Sequence, residues 1–277
     1  FLRNSGKTAD YIVTGTWGKK ALKEAKREGS TRVAWTGESD NFTRAPLTED
    51  VILGTNPAYA HCTSNETIQG VQFKYQIDTG DIPLFCDMSS DFLSRPIDIE
   101  KYSLVYAGAQ KNAGPAGVTI VIIRENMLDK VPSDMHTLLD YKVHVNKNSL
   151  YNTPPVFAIY IVMLVTNWLR NEIGGLEKMS AINQRKSKLL YDVIDRSDGF
   201  YRGHAAPDNR SWMNVTWHLG DKELKTTFAR EAQERELLNL NGHVSVGGLR
   251  ASIYNAMPVD GVQALSDFMV DFQSRYS

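Results

Sequence analysis

The first half of the chain alternates short apolar runs with a segment of helical periodicity. The runs span residues 11–15, 32–35, 59–63, 83–86, 104–107 and 118–123. They are apolar without a regular alternation, which is typical of strands covered by helices on both faces. Residues 17–28 carry apolar side chains on one helical face and are followed by Gly29, a helix stop. This order predicts an α/β fold with a mostly parallel sheet.

The second half of the chain has a different order of elements. Two helices are predicted at residues 153–171 and 176–196, separated by Gly174 and Gly175. A strand, a helix, a strand or turn-rich pair and a terminal helix follow at residues 210–219, 222–237, 244–253 and 258–276. This order predicts a smaller α+β domain. We therefore divide the chain into a large domain, residues 1–180, and a C-terminal small domain, residues 181–277.

Composition and charge argue against several classes of partner. The net charge is −1 and no basic stripe is present, so a nucleic-acid partner is not expected. The most apolar run, residues 156–165, is shorter than the roughly 20 residues that cross a bilayer, so no membrane partner is expected. Cys62 and Cys86 lie in strand-like stretches without zinc-binding spacing, which predicts buried thiols in a reducing compartment and no metal site.

Chemically distinctive residues follow four of the predicted strands. Trp17, Thr67, Asp87 and Lys111 each lie just beyond a strand end, and ligands of α/β sheets bind at the carboxyl ends of the strands. An amine, an acid, hydroxyl groups and an aromatic ring are what a pyridoxal phosphate site requires. Taken singly, each residue has another interpretation: a solvated lysine, a helix-capping aspartate or a core tryptophan. The pattern alone leaves these alternatives open.

Longer motifs of the chain closely resemble the phosphoserine aminotransferase family. One of them is Tyr-Ala-Gly-Ala-Gln-Lys-Asn-Ala-Gly-Pro-Ala-Gly at residues 106–117. Others lie at residues 9–17, 65–70, 87–90, 149–155 and 247–257. The resemblance covers essentially the whole chain in the same order and implies a fold-type I pyridoxal phosphate-dependent transferase. It implies transamination of 3-phosphohydroxypyruvate with L-glutamate, which gives O-phospho-L-serine and 2-oxoglutarate in L-serine biosynthesis.

The resemblance also implies which residues hold the pyridoxal phosphate. Lys111 is the catalytic lysine that binds the cofactor as a Schiff base and moves the proton, and Asp87 pairs with the ring nitrogen. Trp17 is expected to stack on the ring, and Thr67 to contact the region of the ring hydroxyl. Two further residues near the cofactor phosphate are Ser89 and Gln110.

Substrate and partner contacts follow from the same resemblance. Arg250 matches the arginine that binds the substrate α-carboxylate, a task suited to a planar bidentate donor. His243 is expected near the substrate phosphate or γ-carboxylate. Asn152 and Thr153 are expected to reach the cofactor phosphate of the partner subunit, so the resemblance implies a homodimer with its active site at the interface.

The sequence departs from the family pattern in two places. Val244 stands where the family usually has an arginine that helps to hold the phosphate, which predicts weaker discrimination for the phosphorylated substrate. The resemblance also begins inside the family's chain, so the family's N-terminal segment is expected to lie outside this sequence. We expect a cytoplasmic location, with a plastid as the alternative. The alternative functions are another fold-type I aminotransferase with altered specificity, or a non-catalytic fragment that acts through its dimer surface.

Overall fold

A computed structural model describes residues 1–277 and contains eleven strands and seven α-helices. The strands are β1 (Ala9–Val13), β2 (Thr31–Thr36), β3 (Ala60–Thr63), β4 (Asn65–Glu66), β5 (Val71–Gln72), β6 (Leu84–Asp87), β7 (Leu104–Gly108), β8 (Thr119–Ile123), β9 (Tyr201–Gly203), β10 (Asn214–Leu219) and β11 (Leu249–Ser252). The helices are α1 (Thr16–Ala25), α2 (Glu125–Leu128), α3 (Tyr141–Asn146), α4 (Val156–Trp168), α5 (Leu176–Asp195), α6 (Lys222–Glu234) and α7 (Val259–Tyr276).

The large sheet has six strands in the order β2-β1-β3-β6-β7-β8. All neighbours are parallel except β7 and β8, so the prediction of an α/β fold with a mostly parallel sheet is confirmed. Parallel neighbours need long crossover connections, and α1 supplies the one between β1 and β2. The carboxyl ends of β1, β3, β6 and β7 consequently lie side by side at one edge of the sheet.

The strand β8 differs from its prediction. Its apolar run predicts a strand covered on both faces, but β8 is an antiparallel edge strand in which Ile122 is 39% exposed. Edge and central strands both favour β-branched residues. An apolar, β-branched run therefore does not show whether both faces of the strand are covered. The prediction of two-sided burial is therefore wrong for this strand.

Alternate residues of the large sheet enter two separate cores. Ile12, Cys62 and Val105 belong to the core on one face, whereas Tyr11 and Phe85 belong to the core on the other. This alternation follows from the two-residue period of a strand. Both thiols are buried, which confirms the prediction. Cys86 lies opposite Cys62 in the ladder, and their sulfurs are 3.5 Å apart.

A second sheet, in the order β11-β10-β9, is antiparallel throughout. The helices α5 and α7 pack against each other, and a core built around Trp217, Phe228 and Phe272 joins them to this sheet. The boundary between residues 180 and 181 falls inside α5, and the division into two domains stays a prediction. The sequence pattern missed β9 and the β4–β5 hairpin, because strands of two or three residues are shorter than any periodicity window.

The helix α4 is apolar and largely exposed. A π-helical segment, Leu169–Ile173, continues it, so the apolar segment is longer than residues 156–165 suggested. The segment Val156–Ile173 is long and apolar enough to cross a membrane by length and composition alone, and 6% of it is buried. A single helix of this kind is weak evidence for a membrane. Phe157 and Tyr160 are 74% and 51% exposed on it.

Candidate functional site

The four neighbouring strand ends enclose a small polar cleft at one edge of the large sheet. Its volume is about 130 Å³, and only one of its nine lining residues is hydrophobic. The lining residues are Trp17, Thr63, Asn65, Thr67, Asp87, Ser89, Ser90, Gln110 and Lys111. The structure therefore brings together six of the predicted site residues from four separate segments of the chain. Thr63, Asn65 and Ser90 were not singled out from the sequence, although all three lie next to the strand ends that were.

Lys111 occupies the cleft with its amine partly shielded from solvent. Its Nζ donates a hydrogen bond to Thr67 Oγ1 at 2.6 Å and lies 5.6 Å from the centre of the Trp17 ring. Burial lowers the pKa of the Lys111 amine, and the positive charge of Arg250 lowers it further. The carboxylates of Asp87 and Glu66 act in the opposite direction. The balance favours a neutral amine more than at a surface lysine.

Asp87 is held in a tight local turn at the end of β6. Its Oδ1 accepts a hydrogen bond from the backbone N–H of Ser89 at 2.9 Å. The Ser89 hydroxyl oxygen in turn accepts the backbone N–H of Gly108 at 3.1 Å, which links the ends of β6 and β7. These two bonds fix the direction of the carboxylate beside Lys111.

Trp17 lies in the first turn of α1, where a buried carboxylate replaces a local cap. Glu66 is 0% exposed, and its two oxygens accept the backbone N–H groups of Trp17 at 2.9 Å and of Gly18 at 2.7 Å. Burial raises the pKa of the Glu66 carboxyl to about 7, while these two hydrogen bonds lower it. Sequence reasoning did not assign Glu66 a role. Its position between Asn65 and Thr67, just beyond β3, was the available signal.

Arg250 lies on β11, directly opposite Thr216 of β10. The hydroxyl of Thr216 donates to the carbonyl of Gln69 at 2.9 Å, so the strand next to Arg250 is tied to the loop that follows Thr67. Arg250 does not line the cleft, and its positive charge is one of the groups that lower the pKa of the Lys111 amine.

The segment after Arg250 is fixed by a buried cation. Lys186, 0% exposed, donates to the carbonyls of Ile253, Tyr254 and Met257 at 3.1, 2.7 and 3.0 Å. These carbonyls account for its three N–H donors, so the ammonium needs no carboxylate partner. Burial lowers the pKa of Lys186 to about 8.

Besides Arg250, three predicted site residues lie outside the cleft, namely His243, Asn152 and Thr153. His243 lies in an exposed loop, where its Nδ1 is 2.8 Å from the hydroxyl of Ser245, and its neighbour Val244 is 98% exposed. Gln110 and Ser89 line the cleft, and their contact with a phosphate stays a prediction, whereas Asn152 and Thr153 are exposed just before α4 and do not line it. Within one chain the structure therefore separates Asn152 and Thr153 from Lys111.

The cleft has the chemistry of a pyridoxal phosphate site. It offers a poorly solvated amine for an aldehyde, a carboxylate for a protonated ring nitrogen and hydroxyl groups for a phosphate. Two buried polar atoms in its wall, Thr63 Oγ1 and Asn65 Oδ1, have no hydrogen-bond partner in the chain. Unsatisfied buried polar atoms are costly, so a polar ligand in the cleft would offset this cost. The residues present fit the cofactor.

The cleft generates a prediction about the Lys111 amine. Asp87→Asn should lower the pKa of Lys111, because the Asp87 carboxylate is the largest of the charges that favour the ammonium form. Reductive methylation of the cofactor-free protein, followed by mass spectrometry across a pH series, measures this pKa at Lys111. Lys188, an exposed lysine paired with Asp192, serves as the internal control and should not change. A Lys111 midpoint at the same or a higher pH in Asp87→Asn contradicts the prediction.

Comparison with known proteins agrees with this chemistry. Residues 3–265 match the family described as aminotransferase class-V. A phosphoserine aminotransferase of Rhodopirellula baltica is 54% identical over 277 residues, which is 100% of this chain and 74% of that protein. The structure of phosphoserine aminotransferase from Bacillus circulans subsp. alkalophilus has a TM-score of 0.96 and 50% identity, covering 99% of this chain and 76% of that one.

A further solved structure bears on the cofactor. It is described as pyridoxal phosphate-bound phosphoserine aminotransferase from Trichomonas vaginalis. Its TM-score is 0.89 at 40% identity, and the match covers 96% of this chain and 76% of that one. The matches extend over nearly the whole chain and over about three quarters of each relative. The chain belongs to the class-V aminotransferase family and, within it, to the phosphoserine aminotransferases.

Proposed function

We propose that this chain transfers the amino group of L-glutamate to 3-phosphohydroxypyruvate, giving O-phospho-L-serine and 2-oxoglutarate, with pyridoxal phosphate as cofactor. One observation carries the proposal: Lys111, Asp87, Thr67 and Trp17 meet in one cleft of a chain that is 54% identical to a phosphoserine aminotransferase. When bound, the cofactor supplies an electron sink for the substrate's Cα.

Lys111 and Asp87 carry the central roles in this proposal. The lowered pKa of Lys111 raises the fraction of neutral amine, the form that can bind an aldehyde or take a proton from Cα. The hydrogen bond from Nζ to Thr67 orients the amine toward the cleft. Asp87 would hold the ring nitrogen protonated, and Trp17 would cover one face of the ring. Ser89 and Gln110 would contact the phosphate.

Substrate recognition is assigned to Arg250 and His243. The planar guanidinium of Arg250 suits a bidentate contact with the α-carboxylate, and His243 would lie near the distal phosphate or γ-carboxylate. Val244 supplies neither charge nor hydrogen-bond donor beside His243, and its side chain is 98% exposed. This residue favours a second candidate, an aminotransferase of the same fold type with altered substrate specificity.

We further propose that the chain acts as a homodimer through α4. The residues Val156, Phe157, Tyr160, Met163 and Leu164 recur at helical spacing on one exposed face. The opposite face packs inward, where Val162 lies against Gly114. The exposed stripe directly follows Asn152 and Thr153, the residues expected to reach the partner's cofactor. A second copy therefore covers an apolar surface and completes the phosphate contacts with the same segment.

Lys111→Ala should abolish transamination, because it removes both the cofactor's covalent anchor and the proton carrier. We expect a loss of at least roughly 10²–10⁴-fold in kcat, the usual contribution of a general acid–base group. Absorption spectroscopy should show a cofactor band that shifts on adding glutamate in the unchanged protein and is missing in the variant. Lys188→Ala, at an exposed lysine, is the control. A Lys111→Ala variant that keeps the glutamate-sensitive band would refute the assignment.

Val244→Arg should raise kcat/KM for the phosphorylated keto acid by about tenfold or more. This fold-change corresponds to the free energy of one charge-assisted hydrogen bond. Unphosphorylated hydroxypyruvate should gain little, because it lacks the group that the new arginine binds. Val270→Arg, which adds the same charge on exposed α7, controls for nonspecific attraction. Equal gains for both keto acids, or none for the phosphorylated one, exclude the role given to this position.

The double variant Phe157→Asp/Tyr160→Asp should convert the dimer to a monomer by placing charges in the apolar stripe of α4. Sedimentation velocity measures the mass in solution, and cofactor affinity should fall with the loss of the partner's Asn152 and Thr153. Val270→Asp places a charge on exposed α7 and should leave the dimer intact. A wild-type protein that is monomeric, or that partitions into vesicles, contradicts the proposed interface.

A further inference from the structure

The first turn of α1 is capped from a distant part of the chain. Gly15 precedes the helix and has no side chain to cap it, so the N–H groups of Trp17 and Gly18 need other acceptors. The Glu66 carboxylate accepts both, at 2.9 and 2.7 Å. Gln69 adds a second pair of bonds, accepting the N–H of Thr16 at 3.3 Å and donating to its hydroxyl at 2.8 Å.

Glu66 is an unusual residue to find buried at this place. It is 0% exposed, does not line the cleft and makes no ion pair with a neighbouring cation. The two N–H groups and the positive end of the helix offset part of the cost of burying its charge. The charged groups that face it are Asp87 and Lys111, both in the cleft. Glu66 lies between Asn65 and Thr67, which line the cleft, and its carboxylate accepts the backbone N–H of Trp17, so it lies next to the proposed cofactor site.

Gly15 packs so closely against the side chains of Glu66 and Gln69 that no side chain fits at this position. A Cβ atom at Gly15 would lie 2.6 Å from the carboxyl carbon of Glu66 and from Oε1 of Gln69. Because real Cβ atoms do not approach other atoms so closely, any side chain here would displace the carboxylate. The backbone before Trp17 is held against Glu66 on one side and by α1 on the other.

The residue after Glu66 completes the link. Thr67 accepts the hydrogen bond of Lys111 Nζ, so two successive residues bind the two opposite walls of the cleft. Trp17 itself is 38% exposed, with Lys20 Nζ 4.3 Å and Lys111 Nζ 5.6 Å from the centre of its ring, and its backbone N–H is held by Glu66. The position of the indole therefore depends on where the first turn of α1 is held.

We propose that Glu66 is a positioning residue for pyridoxal phosphate: its carboxylate fixes the first turn of α1 so that the Trp17 ring lies across the cleft from Lys111. The inference rests on the proposed function, because it takes Trp17 as the ring that stacks on the cofactor. Glu66 acts through Trp17 and does not touch the cofactor.

Glu66→Gln tests this directly, because an amide offers one oxygen acceptor and one NH₂ donor where two acceptors are needed. We expect the Kd for pyridoxal phosphate to rise by roughly tenfold. The quenching of tryptophan fluorescence at saturating cofactor should fall, as should the induced circular dichroism of the bound cofactor. A merely structural role would leave these two signals of the saturated protein unchanged.

A double-mutant cycle with Trp17→Phe shows whether Glu66 acts through Trp17. If it does, Glu66→Gln should weaken cofactor binding much less in the Trp17→Phe protein than in the unchanged one. Additive effects, or an unchanged Kd in Glu66→Gln, overturn the proposal. Asp10→Asn removes another buried carboxylate, paired with Arg32 at the opposite end of β1, and should leave the Kd unchanged.

Two further variants keep the outcomes distinct. If Glu66→Gln does not fold, Gly15→Ala replaces it, because the new Cβ displaces the same carboxylate and should show the same coupling to Trp17. Lys111→Ala separates the proposals. If Lys111→Ala loses the cofactor band while Glu66→Gln keeps the wild-type Kd, the function stands and the positioning role fails. If Lys111→Ala keeps the band, the proposed function itself fails.

Discussion

Parallel pairing of β1, β3, β6 and β7 is the constraint on which the site depends. In a parallel ladder all carboxyl ends lie at the same edge, and the register decides how closely they approach. Thr63 lies opposite Asp87, so the loops after β3 and β6 begin at one level, and Asp87 lies opposite Tyr106, two residues before the end of β7. Trp17 and Lys111, far apart in the chain, consequently form two walls of one cleft.

The β4–β5 hairpin turns this shared edge into a defined site. It caps α1 through Glu66 and holds Lys111 through Thr67. The same hairpin is bonded to the second sheet: the side chain of Asn65 donates to that of Asn214 at 2.9 Å, and the N–H of Trp212 donates to Gln72 at 3.1 Å. These bonds tie the hairpin that holds the lysine to β10, the neighbour of the strand that carries Arg250.

Burial sets the chemistry of the charged groups in and around the cleft. It lowers the pKa of Lys111 and raises that of Glu66 to about 7, since both charged forms lose solvation. The two buried lysines, Lys111 and Lys186, differ in the groups that stabilise their charged forms. Lys111 has a carboxylate nearby that favours its ammonium form and makes one side-chain hydrogen bond, to Thr67, so burial lowers its pKa only in part. Lys186 gives all its donors to backbone carbonyls, so its charge serves only to hold the segment after Arg250.

The sequence by itself determined the α/β class and predicted four strand ends with Lys111, Asp87, Thr67 and Trp17 just beyond them, whereas the roles of these residues came from the family resemblance. Local patterns suffice for these, because apolar runs and the residues after them are properties of short segments. Only the tertiary structure decided that β8 is an edge strand and that Glu66, from a two-residue strand, caps α1. Such facts depend on which segments become neighbours. A contact between residues 17 and 66 leaves no periodic signal in the chain, and burial changes the pKa of Glu66 only once the fold has closed around it.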